Sequence, residues 1–373
     1  MMQPLQGVRV LDFTTLLPGP LATLLLAEAG AEVIKIERPG SGEDMRHYPP
    51  FWGKDSANFA MLNRGKKSLA ADLKDVATRD RVLSLAKSAD VVVEQFRPGV
   101  MDRLGLGYEA MRKQNPRIVY CAITGYGQSG PRHLRAGHDL NYIGDTGLLA
   151  LSCGASGQRV VPPALVADIG GGAYPAVMNI LLALRRRDAG GEGAYIDVSM
   201  SDNLFPFMYW ALGNGLGAGQ WPGNADGRVT GGTPRYRLYE TKDGRVAAVA
   251  AIEQRFWDMF VQAIGIEPEL ADDARDPSAT TARVAEIIAS RTAAEWLPIF
   301  DRADCCCSIM QDLQAALADP HFRARGLFDH GLANEAGARI PALPLPIDAQ
   351  FRSPAEEARS APALGAHNAE LLK

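Results

Sequence analysis

The sequence predicts an α/β protein in which a mostly parallel sheet, covered by helices on both faces, is joined to a smaller α+β domain. Strand-like runs rich in β-branched residues alternate with helical stretches from Gly7 to Ile123, the pattern of repeated βαβ units. A glycine-rich stretch, Gly213 to Gly232, then separates this region from a second group of strands and helices. The length of 373 residues suits two domains of ~100–200 residues each.

Taken in order, Gly7–Phe13 is the first strand, and Leu17-Pro18-Gly19-Pro20 is a turn that places proline at a helix start, where its missing N–H costs nothing. Leu21–Ala29 is the helix, Gly30 its cap, and Ala31–Glu37 the second strand. Arg79–Lys87 (helix), Asp90–Gln95 (strand), Tyr108–Gln114 (helix) and Ile118–Ile123 (strand) continue the alternation. The apolar segment Val177–Leu184 ends in Arg185-Arg186-Arg187, cations that suit a helix C-terminus. Strand Tyr195–Val198 follows the break at Ala189–Gly193. Gly213–Gly232 reads as a loop or linker, and Arg245–Ile252 (strand) and Phe256–Gly265 (helix) belong to the second domain. The tail, with Pro341, Pro344, Pro346, Pro354 and Pro362, reads as extended chain packed on other elements. The expected division is residues 1–200 and 326–373 for a large Rossmann-like domain, 201–224 for a linker and 225–325 for the small domain.

Composition narrows the function. With 47% hydrophobic and 22% charged residues the chain can bury a substantial core. A formal net charge of -4 argues against a nucleic-acid binder. No uninterrupted apolar run reaches the ~18–20 residues of a membrane span, and Met1–Gly7 lacks the pattern of a signal peptide, so a reduced, cytoplasmic setting is expected. Cys121 and Cys153 are isolated, and Cys305-Cys306-Cys307 are consecutive; adjacent side chains point apart, so no metal site is expected. Gly125-Tyr126-Gly127-Gln128-Ser129-Gly130 matches G-x-G-x-x-G, but Pro131-Arg132 follows it and it does not occupy the first βα turn, so a tight turn accounts for it better than a dinucleotide site. No G-x-S-x-G elbow or Walker sequence is present.

Arg38 and Arg97 both fall just past strand ends, with Arg103 beyond the latter, and Asn63-Arg64-Gly65-Lys66-Lys67 adds further cations. Ligands of parallel α/β sheets sit outside the carboxyl ends of strands, so this repeated placement suggests a phosphate-bearing ligand such as coenzyme A. The acid/base candidates are His138, in Ala136-Gly137-His138-Asp139-Leu140-Asn141-Tyr142, and Asp168, ahead of Gly170-Gly171-Gly172. For each, a structural role and a catalytic one both stay open; for Asp168 the structural one is a helix N-cap.

These segments carry a resemblance. The chain resembles the class III coenzyme A transferases (CaiB/BaiF), and within them the alpha-methylacyl-CoA racemases, from Gly7 to about Asp312. The landmarks are Gly7-Val8-Arg9-Val10-Leu11-Asp12, Gly30 to Pro39, Asn63 to Lys67, Arg97-Pro98-Gly99-Val100 and Arg103 to Gly107. The resemblance implies a catalytic histidine at His138, a catalytic aspartate at Asp168 and a supporting glutamate at Glu253. It implies CoA contacts from Arg38, Asn63, Arg64, Lys66, Lys67, Arg97 and Arg103, and from Gly137, Asp139 and Tyr142; for Tyr142 a core position is the competing reading. It also implies an interlocked homodimer, with each active site between the large domain of one subunit and the small domain of the other. Coenzyme A enters as part of the substrate, with no separate cofactor. Where relatives have one Cys and a Pro-Val pair, this chain has Cys305-Cys306-Cys307-Ser308-Ile309.

The implied activity is racemisation of 2-methylacyl-CoA thioesters. The thioester delocalises charge from the α-carbon into an enolate. His138, whose type titrates near ~6.5 unperturbed, and Asp168 would exchange the proton on opposite faces. Desolvation raises the Asp168 carboxyl and a helix N-terminus lowers it; the expectation is that desolvation prevails only with substrate bound. Amides of Gly137 to Asp139 would meet the enolate oxygen. The alternative is CoA transfer to a carboxylic acid, with Asp168 as the nucleophile.

Overall fold

The computed structural model describes residues 3–151, 158–355 and 358–372; Cys153 lies outside the described residues. The chain divides into two compact units: Met1–Thr146, Ala164–Pro206 and His321–Lys373 form the first, and Gly147–Pro163 and Phe207–Pro320 the second. Relative to the expected division, the border falls at 206/207, without the 201–224 linker, and Gly147–Pro163 goes with the small unit.

The first unit is built on β1 (Arg9–Phe13), α1 (Pro18–Glu28), β2 (Glu32–Glu37), the hairpin β3 (Phe51–Trp52) and β4 (Asp55–Ser56), α2 (Ala57–Asn63), β5 (Lys67–Ala70), α3 (Val76–Leu85), β6 (Val91–Glu94), α4 (Val100–Arg103), α5 (Tyr108–Gln114), β7 (Val119–Thr124), α6 (Asp139–Asp145), α7 (Tyr174–Asp188) and β8 (Ala194–Ser199). The sheet runs β5-β2-β1-β6-β7-β8, parallel throughout. Its centre is buried on both faces, as the unbroken apolar run Val91-Val92-Val93 requires. The Tyr120 and Tyr195 rings, paired across β7 and β8, stack at 5.8 Å.

Ahead of α7, Ala167–Ala173 is π-helical and continues into it without a break. A wider turn of this kind is rare and often marks a functional position. The continuous helix Ala167–Asp188 is long and apolar enough, by length and composition, to cross a membrane; here it lies against α1, β7 and β8. At its end Arg187 is buried and pairs with Asp90 at 2.8 Å.

The C-terminal segment closes the β5 edge of the sheet. Asn368 exchanges two hydrogen bonds with the Ala70 backbone, both at 2.9 Å. His367 accepts from the Ser68 N–H and donates its own to the Ser68 carbonyl, both at 3.1 Å. Lys67 bridges Glu32 and Glu370.

In the second unit α8 (Tyr209–Ala218) precedes β9 (Tyr236–Glu240), β10 (Val246–Ala250), α9 (Gln254–Ile264), α10 (Pro268–Ala271), α11 (Pro277–Ile288), α12 (Ala293–Ala303) and β11 (Cys307–Ile309). The strands form an antiparallel sheet in the order β11-β10-β9. Its core is aromatic: Trp296 stacks on Phe300 at 5.2 Å, and Trp257 lies 5.6 Å from Phe260. Trp257 is fully buried, a core position. The glycine-rich stretch is not all loop. Gly215 stays helical because Trp221 lies on it; a Cβ there would stand 2.2 Å from the indole. Cys305 is buried, Cys306 exposed and Cys307 half-buried, with Cys305 and Cys307 packed on the same core. Among the described residues no group of three His, Cys, Asp or Glu side chains could hold a metal.

Candidate active site

Strand succession reverses between β1 and β6, so their carboxyl ends open a crevice of the kind that holds ligands in α/β sheets. A cleft of about 440 Å3 lies there. Leu16 and Pro18 line it after β1, Gln95 to Pro98 after β6, Thr124 at the end of β7 and Gly125 after it, and Met200 after β8. His133, Arg135, Gly137, His138, Asn141, Tyr142 and Asp168 complete the wall. Gln95 also accepts the Gly19 N–H at 3.0 Å, tying the start of α1 to the end of β6.

The His138 segment is held from below. The Tyr142 ring fills the space where Gly125 or Gly137 would carry a Cβ, 2.4 and 2.7 Å away, and its hydroxyl donates to the Gly137 carbonyl. Burial pushes that hydroxyl up to about 12, so it stays a donor. The His138 N–H donates to Asn141 Oδ1 at 3.0 Å, which fixes the first turn of α6 and leaves the imidazole exposed at the rim. Gly137 and Tyr142 therefore act as spacer and strut for the histidine.

Asp139 points away from the ligand side. Its carboxylate is buried, and Oδ2 accepts the N–H groups of both Ala167 at 2.7 Å and Asp168 at 3.0 Å, so it caps the π-helical segment. Gly171 and Gly172 let this segment approach closely: added Cβ atoms would stand 2.4 Å from the Met200 carbonyl and 3.1 Å from Pro18. Asn203 fixes it further by donating to the Gly171 carbonyl at 2.8 Å.

Asp168 is thus carried into the cleft on a rigid turn. Its carboxyl is raised from 3.8 to about 6, by burial first and by the Asp139 carboxylate second, with His138 opposing the rise. This corrects the expectation that desolvation prevails only with substrate bound. The amides that would have stabilised the Asp168 anion are already spent on Asp139, so burial and like charge win in the free chain.

The expected CoA contacts separate into two groups. Asn63, Arg64, Lys66 and Lys67 are structural. Lys66 Nζ is enclosed and donates to Asp12 (3.1 Å), Thr23 (2.8 Å), Asn63 (2.8 Å) and the Pro20 carbonyl (3.0 Å). Burial lowers Lys66 to about 8, and Asp12 opposes it; Asp12 itself falls to about 2, its ammonium and hydroxyl partners overcoming its burial. Arg64 is buried against Glu28 at 2.8 Å, and Asn63 is buried against Glu43. Lys67 is held by Glu32 and Glu370. None of these side chains can reach a ligand phosphate without breaking a built network.

Arg97, Arg38 and Arg103 stay at the surface; Arg38 pairs there with the exposed Asp44 and donates to the Gly42 carbonyl at 2.8 Å. Arg97 lines the cleft. Arg38 borders a second hollow of about 410 Å3, which Lys74 also lines and which shares Phe96 with the cleft. Arg103 is exposed at the end of α4. Sequence reasoning missed Lys74, His133 and Arg135; the last two stand just ahead of Gly137-His138, a signal that was available. Glu253 belongs to the second unit, at the start of α9, where its charge helps raise the Cys306 thiol, burial being the larger cause. The structure brings His138 and Asp168 together within the first unit.

The CoA-transferase family III model matches residues 5–368. Over 378 residues the chain is 36% identical to the alpha-methylacyl-CoA racemase of Mus musculus, covering 99% of this chain and 92% of that one. It is 34% identical to the succinyl-CoA:glutarate CoA-transferase of Mus musculus, covering 100% and 86%. Among solved structures, a CAIB/BAIF family protein from Brucella suis superposes with a TM-score of 0.81 at 28% identity, covering 100% and 99%. Identities to a racemase and to a transferase differ by two points, so similarity alone does not choose between the reactions.

Proposed function

Since the chain belongs to CoA-transferase family III and is an enzyme of that transferase-and-racemase group, we propose that it inverts the α-carbon of 2-methylacyl-CoA thioesters. The observation that carries this reading is the Asp168 carboxyl, lifted to about 6 beside His138 in one cleft. A proton carrier must hold and release its proton near neutral pH; a carboxylate nucleophile needs only to be ionised.

In this reading, one of the pair removes the α-proton from one face, the electrons move into the thioester carbonyl, and the enolate forms. The other returns a proton to the opposite face, and the enolate collapses to the thioester of inverted configuration. The reaction needs no group beyond the CoA of the substrate. The His138 N–H is bonded to Asn141 and so drops out of the amides expected to meet the enolate oxygen. Arg97 at the cleft, with Arg38 and Lys74 at the adjoining hollow, supplies cations for the CoA phosphates. The supporting carboxylate role of Glu253 is proposed on the resemblance alone.

The likeness to glutarate and oxalate CoA-transferases supports the second reading, in which Asp168 attacks the thioester carbonyl. The experiment is incubation with a single enantiomer of a 2-methylacyl-CoA in deuterated water without free carboxylic acid. Deuterium entering the α-carbon together with loss of optical purity is the expected result. No exchange, with CoA movement once a carboxylic acid is added, establishes transfer instead.

A further inference from the structure

We propose that Glu43 is a positioning residue of the cleft, its buried carboxylate holding the Leu16 turn in the left-handed conformation that shapes the wall beside His138 and Asp168. This rests on the reading of the cleft as the acyl-CoA site. Leu16 has φ +63°, a region uphill for any residue with a Cβ and kept only where the surroundings over-determine it. It lines the cleft directly.

The surroundings do over-determine it. Glu43 is 3% exposed, and its Oε2 accepts the Leu16 N–H at 3.0 Å. Lys35 Nζ stands 3.3 Å from the same oxygen and donates to the Thr14 carbonyl at 2.8 Å, so one ammonium links both ends of the turn. Asp12 accepts the Thr14 N–H at 2.9 Å and its hydroxyl at 2.5 Å. Asn63 donates to the other Glu43 oxygen at 3.4 Å. The turn is therefore gripped at Thr14 and at Leu16 by groups wholly withdrawn from solvent. Apolar packing of similar volume often stabilises as well as a buried ion pair does; what this cluster supplies in addition is an oxygen aimed at one particular N–H.

The test is a double-mutant cycle with Glu43→Ala and Leu16→Gly, read by titration of the full-length protein with coenzyme A and by KM and kcat. Glu43→Ala should weaken coenzyme A binding about tenfold, equivalent to about 1.4 kcal/mol, and raise KM by a similar factor with a smaller change in kcat. In the Leu16→Gly background, where glycine takes the left-handed conformation unaided, the same substitution should cost less than about threefold. An equal loss in both backgrounds overturns the proposal. Hydrogen exchange of the Leu16 amide in the wild-type protein decides the matter if Glu43→Ala does not fold: slow exchange is expected, and exchange at the rate of an open loop overturns it. Failure of the wild-type protein to bind coenzyme A would instead remove the acyl-CoA reading, while the Leu16 amide still reports on the clamp.

Discussion

Replacing Asp168 by asparagine should make the protein more stable above neutral pH while removing its activity. The carboxyl titrates at 3.8 ordinarily and at about 6 in the fold, chiefly because of burial. Below the lower value both folded and unfolded chains carry a neutral carboxyl. Between the two the unfolded chain is ionised and the folded one is not, so stability falls as pH rises. Above the higher value both are ionised and the cost is constant. A displacement of roughly two pH units corresponds to about 3 kcal/mol at most, an upper bound because the side chain keeps some contact with solvent. The Asp168→Asn variant lacks the charge and keeps the shape. Its advantage over wild type should be at most about 2 kcal/mol at pH 5 and at most about 3 kcal/mol at pH 8, growing by up to about 1 kcal/mol across that interval. Urea unfolding of the two proteins at both pH values measures it. An advantage that is absent, or that shrinks as pH rises, refutes the argument that burial and Asp139 hold this carboxyl high.

Other outcomes follow from the same geometry. His138→Ala should reduce α-proton exchange by about 10²-fold or more, measured by deuterium incorporation; undiminished exchange removes His138 from the chemistry. Arg97→Ala should raise KM about tenfold in a salt-dependent way and leave the melting temperature near wild type. Lys66→Met should do the reverse, costing about 3–5 kcal/mol in unfolding experiments by stranding Asp12, with KM little altered in whatever protein folds. Gly125→Ala drives a methyl against the Tyr142 ring and should destabilise by about 1–3 kcal/mol, with thermal melting as the readout.

The strands were legible because each central one is a short run of β-branched or apolar residues, as in Val91-Val92-Val93, and because Gly30 and Gly265 mark helix ends. His138 and Asp168 were legible through local sequence and resemblance. The cations were not separable. A basic residue just past a strand end carries the same signal whether it awaits a phosphate, as Arg97 does in the proposed reading, or neutralises a carboxylate beneath it, as Lys66 does for Asp12. That distinction depends on Asp12, Glu28 and Glu43, which approach their partners only through the tertiary fold. The π-helical start of α7 was hidden too, since it arises from Asp139 capping and from Gly171 and Gly172 meeting Met200 and Pro18. The glycines of α8 suggested a loop because glycine disfavours helix, and packing on Trp221 overrode that preference.

The closure of the β5 edge by Asn368, His367 and Glu370 bears on how the chain must be made. During synthesis β5 emerges early, yet Asn368, which masks its open backbone, follows Ala70 by 298 residues. Residues 207–320 are complete before that segment exists, so the second unit is free to mature first, while the first retains an unpaired strand edge until the segment has left the ribosome. An exposed edge of that kind recruits other strands, so the nascent chain passes through an interval in which chaperone capture competes with self-association. Removing residues 367–372 would make the interval permanent.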